Sequence, residues 1–313
     1  MILAINVNAA LDRIFFIDRF VPNTHMRTSK SVLSVGGKGL DAALVLKTLD
    51  APVCALSFIA GKNGKILEEL LNKHQINCKF IWLPGETRES IVVVETDLNR
   101  HSHVTTSGYT LSEDNIRTFF ENLDELAPQA DWAVLAGSLP GGASPTLYRE
   151  LIERLHQHHV KTLIDGFGAP ILQTLSAYPE VVKMNQHEFQ ETFEVQARDL
   201  TELILACKIQ MQIHDMQNLV ITCGKDGILA FTQDGVFHAG CTEVKEVNAA
   251  GAGDAVSAAL SYRLSLGDSW PQALTWAAAT SAAVVMTEGT AEAYMKDIQD
   301  FYPLAWVKQI EYV

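Results

Sequence analysis

The chain has 313 residues, of which 48% are apolar and 19% charged, enough apolar material for a large buried core and too much for disorder. Lys and Arg number 24 against 37 Asp and Glu, a formal charge of −13. Such a surface repels nucleic-acid phosphate and anionic lipid, so neither a nucleic-acid nor a membrane partner is expected, and an anionic ligand needs a local group of donors. The five cysteines (Cys54, Cys78, Cys207, Cys223, Cys241) are scattered and never form a C-x-x-C pair. This excludes a disulfide framework and a zinc site and suits a cytoplasmic, reducing setting.

The opening MILAINVNAALDRIFF has no basic segment and meets Asp12 and Arg13 early, unlike a signal peptide. Short, continuously apolar runs at 2–7, 53–59, 132–136, 162–165, 181–184 and 219–222 predict strands. Between them, helical periodicity covers 41–49, 65–73, 113–126, 145–156 and 200–213. Ser112 before Glu113-Asp114, and Ser144 before Pro145, are helix-start signals. Apolar strands alternating with helices imply a parallel sheet covered on both faces.

Two stretches break the alternation. Residues 12–34 and 79–105 carry β-type runs (13–16, 30–35, 78–83, 90–95 and 101–105) with no helix between them. These predict antiparallel strands in a small β lid, leaving 1–11, 35–78 and 106–313 as the α/β core. Further on, 227–232 and 236–239 flank Asp234-Gly235 and read as a hairpin. Three helices follow, at about 252–266, 271–287 and 291–301. The alanine-rich middle one is too short and too interrupted by Thr and Ser to span a bilayer.

The sharpest chemical signal is Gly251-Ala252-Gly253-Asp254, which leads into a helix of small residues. Glycines there expose successive N–H groups at a helix N-terminus, which favours an anion. An aspartate in such a turn suits proton acceptance beside a phosphoryl group in transit; the plainer reading is an N-cap. A second glycine turn, Gly36-Gly37-Lys38-Gly39, fits a polyol against the backbone, with Asp12 as a carboxylate for vicinal hydroxyls. Arg27, Lys38 and Arg88, with Ser138, offer phosphate donors where positive charge is otherwise scarce. Asn185 and Glu188 share the first turn of a helix and suit water-mediated Mg²⁺ binding, or simply a helix start. Lys183 precedes them, and Thr222, Gly224 and Gly227 form a strand-to-turn segment suited to a nucleotide. His156, His158 and His159 lack a ligand partner and read as a solvated helix end.

Taken in order, these segments resemble the ribokinase-like (PfkB-type) carbohydrate kinases. The carriers are Asn8-Ala9-Ala10-Leu11-Asp12, the GGKG turn, Thr87-Arg88, Gly137-Ser138-Leu139-Pro140, Lys183-Met184-Asn185 with Glu188, Thr222 to Gly227, and the terminal GAGD. GGKG, T-R and GSLP look like the phosphosugar branch, typified by 1-phosphofructokinase and tagatose-6-phosphate kinase. The resemblance implies a three-layer α/β sandwich with a mostly parallel central sheet and a small β lid that forms a homodimer interface. It implies ATP as donor with Mg²⁺, Asp254 as base, and Gly251, Ala252 and Gly253 as anion hole. Asp12, Gly36 and Gly37 would hold a sugar, and Arg27, Lys38, Arg88 and Ser138 its existing phosphate. Three segments depart from the pattern. Asp41 stands where the family carries a sugar-contacting asparagine, Ser90 where its T-R-x-N motif carries a second asparagine, and Asp165-Gly166-Phe167-Gly168 replaces D-x-S-G. Those changes keep open an unphosphorylated sugar or nucleoside as acceptor, and a non-catalytic sugar-phosphate sensor as a third reading.

Overall fold

A computed structural model describes residues 1–98 and 100–310; Asn99 of the expected lid and 311–313 of the expected core lie outside the described residues. Among the described residues the main sheet has ten strands. Seven are parallel, in the order β11 (Leu219–Thr222), β10 (Val181–Asn185), β9 (Lys161–Asp165), β8 (Trp132–Ala136), β1 (Ile2–Asn6), β4 (Val53–Ala60) and β5 (Asn77–Leu83). β12 (Ile228–Thr232), β13 (Gly235–Gly240) and β14 (Trp306–Gln309) extend the β11 side antiparallel. The expected hairpin is therefore present, with its turn at Gln233 and Asp234. Every residue of β1 is buried, as a strand covered on both faces must be.

Helices close both faces. On one, α3 (Glu113–Leu126), α4 (Leu147–Gln157) and α7 (Leu200–His214) bury Phe119, Leu123, Leu151, Leu155 and Leu203. Two short helices, α5 (Ala169–Thr174) and α6 (Gln186–Thr192), follow β9 and β10. On the other face, α1 (Lys38–Thr48), α8 (Ala252–Ser265), α9 (Trp270–Val284) and α10 (Met295–Phe301) bury Val45, Leu46, Val256, Leu274, Ala277 and Ile298. α2 (Gly61–Lys73) joins this layer by packing Leu67 and Leu71 with Leu40 and Leu44 of α1. The three-layer sandwich expected from sequence is the architecture found. Ser112 caps α3, its Oγ accepting from the Asn115 amide at 3.3 Å. α4 instead begins two residues later than the Ser144-Pro145 signal implies, with Thr146 as its cap. Among the described residues no helix is long and apolar enough to cross a membrane.

The lid is a separate four-stranded sheet, β3 (Lys30–Gly36), β2 (Ala10–Ile17), β6 (Arg88–Glu95) and β7 (Arg100–Thr105) in that order. Two expectations need correction. The run at 78–83 belongs to the main sheet: β5 follows α2 and pairs parallel with β4, completing a β-α-β crossover rather than a hairpin. Within the lid, β2 and β6 pair parallel, because both leave the core in the same direction, so the lid is mixed and not antiparallel throughout. Ile14, Phe16, Val92 and Val94 form its own small core, against which Val32 and Val247 pack.

Candidate active site

The segments carrying candidate residues converge on the carboxyl edge of the parallel strands. β1 leads into the turn that holds Asn8, with Asp12 just beyond it in β2, β8 delivers Ser138, and β9, β10 and β11 end at Asp165, Asn185 and Thr222. Ligands of open parallel sheets bind at this edge, because the loops that follow the strands gather there. The N-terminus of α8 faces the same place. A cleft of about 1050 Å³ opens beside it, lined by Lys38, Lys183, Glu188, Thr222, Gly253 and Asp254 among others.

Asp254 lies in the first turn of α8 and is 8% exposed. Burial, and then the charge of Asp165, push its carboxyl up to about 7, against the opposing pull of Lys38 and Lys183. Gly251 turns the chain at φ +84, where a Cβ would collide with Ala291. Ala252 spends its N–H on the Ala249 carbonyl at 3.2 Å, which leaves Gly253 and Asp254 as the free-standing donors expected of a first turn. The plainer N-cap reading fails, since Gly251 is the cap and no side chain bonds there.

Behind Asp254 lies a buried charge cluster. Asp165, fully buried, accepts from Lys183 Nζ at 2.7 Å, Lys38 Nζ at 3.1 Å and Ser257 Oγ at 2.8 Å. Burial alone would raise its pKa, but the two ammonium groups and the hydrogen bonds outweigh that and hold it at about 2. Lys38 also donates to Glu188 Oε1 at 2.9 Å. Burial disfavours its charge, yet Asp165, Glu188 and Asp254 together hold it above the usual lysine range. Lys183 Nζ lies against Gly253, where a Cβ would come within 2.9 Å of it. Two ammonium groups thus flank the α8 N-terminus. Lys38, expected beside an acceptor phosphate, is turned to this cluster instead.

On the other side of Asp254, Asp12 is 7% exposed and accepts from Thr290 Oγ1 at 2.7 Å. Burial lifts it to about 6, although Thr290 and Arg88 oppose this. Gly36 has to be glycine here, because a Cβ would run into the Asp12 carboxylate. Gly37 turns at φ +102 beside the Asn6 side chain. Arg88 Nη2 donates to the Asn8 carbonyl at 3.1 Å, and Asn8 Nδ2 donates to Ser138 Oγ at 3.1 Å. Asn8 therefore joins Arg88 and Ser138 into one donor group. Arg88 Nε is buried with no hydrogen-bond partner among the described residues. Asp41 lies in the first turn of α1, also buried. Arg27 is not brought here. It is exposed in the β2–β3 connection, whose Thr28 bonds Phe16, about 13 Å along the strand from Asp12 at about 3.3 Å per residue. The side chain of Ser90 makes no contact that assigns it a role.

On the cleft side, Lys183, Asn185, Thr222, Gly224 and Gly227 are all in the lining. Asn185 and Glu188 form a capping box: Asn185 Oδ1 accepts from the amides of His187 and Glu188, and Glu188 Oε2 accepts from the Asn185 amide. The helix-start reading of this pair therefore holds. Glu188 Oε1, shared with Lys38, is the oxygen left to face the cleft. One carboxylate oxygen fits Mg²⁺ held through waters, the way that ion is usually bound, and Asn185 contributes by fixing Glu188.

Sequence reasoning overlooked several residues here. Asp165 was seen only as a departure from a pattern. Thr290 anchors Asp12 from 278 residues away and left no local signal. Tyr109 and Tyr148 brace the turns after β1 and β8 through their hydroxyls. Ala278, Ser281 and Ala282 of α9 line the cleft, so the small residues of this alanine-rich helix leave room for a ligand.

The sequence matches the pfkB family carbohydrate kinase model over residues 5–297. It is 30% identical over 285 residues to 1-phosphofructokinase of Haemophilus influenzae, covering 91% of this chain and 90% of that protein. It is 27% identical over 289 residues to D-tagatose-1-phosphate kinase of Bacillus licheniformis, covering 92% and 94%. Among solved structures, Escherichia coli phosphofructokinase-2 in complex with substrates and products superposes with a TM-score of 0.88 at 22% identity, covering 96% of this chain and 98% of that one.

Proposed function

The chain belongs to the pfkB family of carbohydrate kinases, and from that membership we propose that it transfers the γ-phosphoryl group of ATP to a hydroxyl of a phosphorylated ketohexose, with Mg²⁺. The observation that carries this reading is Asp254, a buried carboxylate at a helix N-terminus, flanked by two ammonium groups and poised to titrate at about 7. A general base works best near the operating pH, and here the donors for a phosphoryl group lie beside it.

In this reading Asp12, with the Gly36–Gly37 backbone, orients the sugar so that one hydroxyl meets the Asp254 carboxylate, which takes its proton. Gly253 and Asp254 N–H groups, Lys183 and Lys38 meet the charge on the transferring phosphoryl group. Phosphoryl transfer asks little covalent chemistry of a protein, so positioning and charge stabilisation dominate. The nucleotide occupies the cleft between the 222–227 turn and α9. Glu188 would hold Mg²⁺ through waters, and the ion would supply neutralisation of the donor phosphates. Arg88 and Ser138, joined by Asn8, receive the phosphate already on the acceptor. That role fits the relatives, which are named as kinases of fructose and tagatose phosphates.

A coupled assay of ADP release tests the proposal across fructose 1-phosphate, fructose 6-phosphate, tagatose 1-phosphate, tagatose 6-phosphate, fructose, ribose and adenosine. Turnover of one phosphosugar with a KM at least about tenfold below its unphosphorylated counterpart is expected, the scale of a lost charge-assisted contact. Turnover of neutral acceptors only would reject the phosphosugar assignment. Binding of a phosphosugar with no ADP release would favour a sensor.

A further inference from the structure

Asp41 stands out within the acceptor side of the site. It is 4% exposed, and its Oδ1 is buried with no hydrogen-bond partner among the described residues. Its backbone N–H is spent on the Gly37 carbonyl at 3.0 Å, which holds the residue's main chain in the first turn of α1 beside the glycine turn. The charged groups facing it are Asp254 from α8, Asp12 from β2, Arg88 from β6 and Lys38 from its own helix. Neither cation is paired with it. Arg88 directs Nη2 to the Asn8 carbonyl, and Lys38 is bonded to Asp165 and Glu188. Burial, then Asp254 and Asp12, lift its pKa well above the usual carboxylate range, more than Arg88 and Lys38 lower it.

A buried oxygen without a partner in the protein is costly unless a ligand supplies one. An ionised carboxylate there could only accept hydrogen bonds and would add a third negative charge around a phosphorylated acceptor. A carboxylic acid carries one O–H donor and one accepting oxygen, which is the pattern of an amide edge reduced to its essentials. Building on the kinase reading above, we propose that Asp41 binds the acceptor sugar as a neutral carboxylic acid, donating its O–H to an oxygen of the acceptor. The acceptor it selects is one with a hydroxyl or carbonyl oxygen free to accept at that position. Asp12 and Asp254, on either side, remain the groups that accept from hydroxyls.

Infrared spectroscopy of the full-length protein at pH 7, with Asp41→Asn as the difference partner, reads the protonation state without any turnover. A protonated-carboxyl band present in the wild type and lost in the variant is expected. The second readout is the pH profile of the acceptor KM, with the ATP KM followed in parallel. In the wild type the acceptor KM rises at least about tenfold as alkaline pH ionises Asp41, the scale of one lost hydrogen bond in a buried site. In Asp41→Asn, whose amide donates at every pH, that alkaline rise is abolished. Asp41→Leu raises the acceptor KM even at pH 7, and the ATP KM stays put throughout. Absence of the band, or an alkaline rise that persists in Asp41→Asn, overturns the proposal. If no acceptor is turned over, the kinase reading fails while the band still decides whether Asp41 is the neutral acid.

Discussion

At Asp254 the chemistry is decided by neighbours that the sequence does not place. Its two flanking cations reach it through Asp165, which Lys38 meets across 127 residues and Lys183 across 18. Replacing Asp254 with Asn should lower kcat by about 10²–10⁴, the range of general-base loss, while the ATP KM changes little. In the wild type, kcat should fall as pH drops below about 7, because proton acceptance needs the ionised carboxylate. An acid limb with a midpoint near 4, or one that survives in the variant's residual activity, would reject the assignment. Gly36 offers a steric test of the partner carboxylate. Thr290 pins Asp12 at 2.7 Å, so a Cβ at position 36 cannot be accommodated by swinging Asp12 aside. Gly36→Ala should reduce acceptor kcat/KM by at least about tenfold, the loss expected from misplacing a substrate-positioning group, with the ATP KM unmoved. Equal kinetics would mean that Asp12 does not hold the acceptor. The glycine turns and Asp254 were legible because unusual backbone leaves a compositional trace. Asp165, Thr290 and the true partners of Lys38 were not, since ordinary residue types meet there only through tertiary contacts.

Elements were legible where local periodicity decided them. β8, β11 and α3 fall where the pattern puts them, and the hairpin of β12 and β13 is found at its Asp-Gly signal, turning one residue earlier at Gln233 and Asp234. β5 was misplaced because a short half-exposed run looks the same on a lid as at the edge of a main sheet; only its parallel pairing with β4 distinguishes them. β14 was missed because four residues carry no period. The lid itself was found, and its two faces differ. Ile14, Phe16, Val92 and Val94 point into its small core, while the opposite face presents Phe15, Leu33, Ile91, Val93 and Val104, with Leu33 41% and Val104 60% exposed. Alternation along the strands puts these apolar side chains on one face around the Arg13–Glu89 ion pair, and β3 and β7 leave sheet edges open beside it. We expect a second copy of the chain to cover it. Light scattering at micromolar concentration should give twice the chain mass, and Leu33→Glu combined with Val104→Glu should halve it. A monomeric wild type would reject the lid as a self-association surface.

On the scale of the whole molecule, the net charge of −13 is unevenly stored. Most of it is solvated, but Asp12, Asp41 and Asp254 are buried within one site and held above the ordinary carboxylate range, Asp12 to about 6 and Asp254 to about 7. Unfolded, each would titrate near 4. Between about pH 4 and 7 the folded chain therefore binds more protons than the unfolded one at these positions, and stability falls as pH rises. Asp165 works in the opposite sense. Held at about 2, it contributes stability that is present above pH 4 and lost only as pH falls toward 2, outside that window. The surface His103, kept below its usual value by desolvation and by His101, loses a little stability on the acid side and partly offsets the trend. The ligand-free protein should thus melt higher at pH 5.5 than at pH 7.5, by at least about 1.5 °C, the shift that about 1 kcal/mol produces in a chain of this size at about 2.1 cal/mol/K per residue. Asp254→Asn should melt higher than wild type at pH 7.5 and show a shallower pH slope, since its neutral amide removes one buried charge. A wild type that melts higher at pH 7.5, or a variant with the same slope, would mean that these carboxylates are not held against ionisation. On the proposed role the same substitution abolishes most turnover, so the stability it recovers would measure what the fold gives up to hold the proposed base at the head of α8.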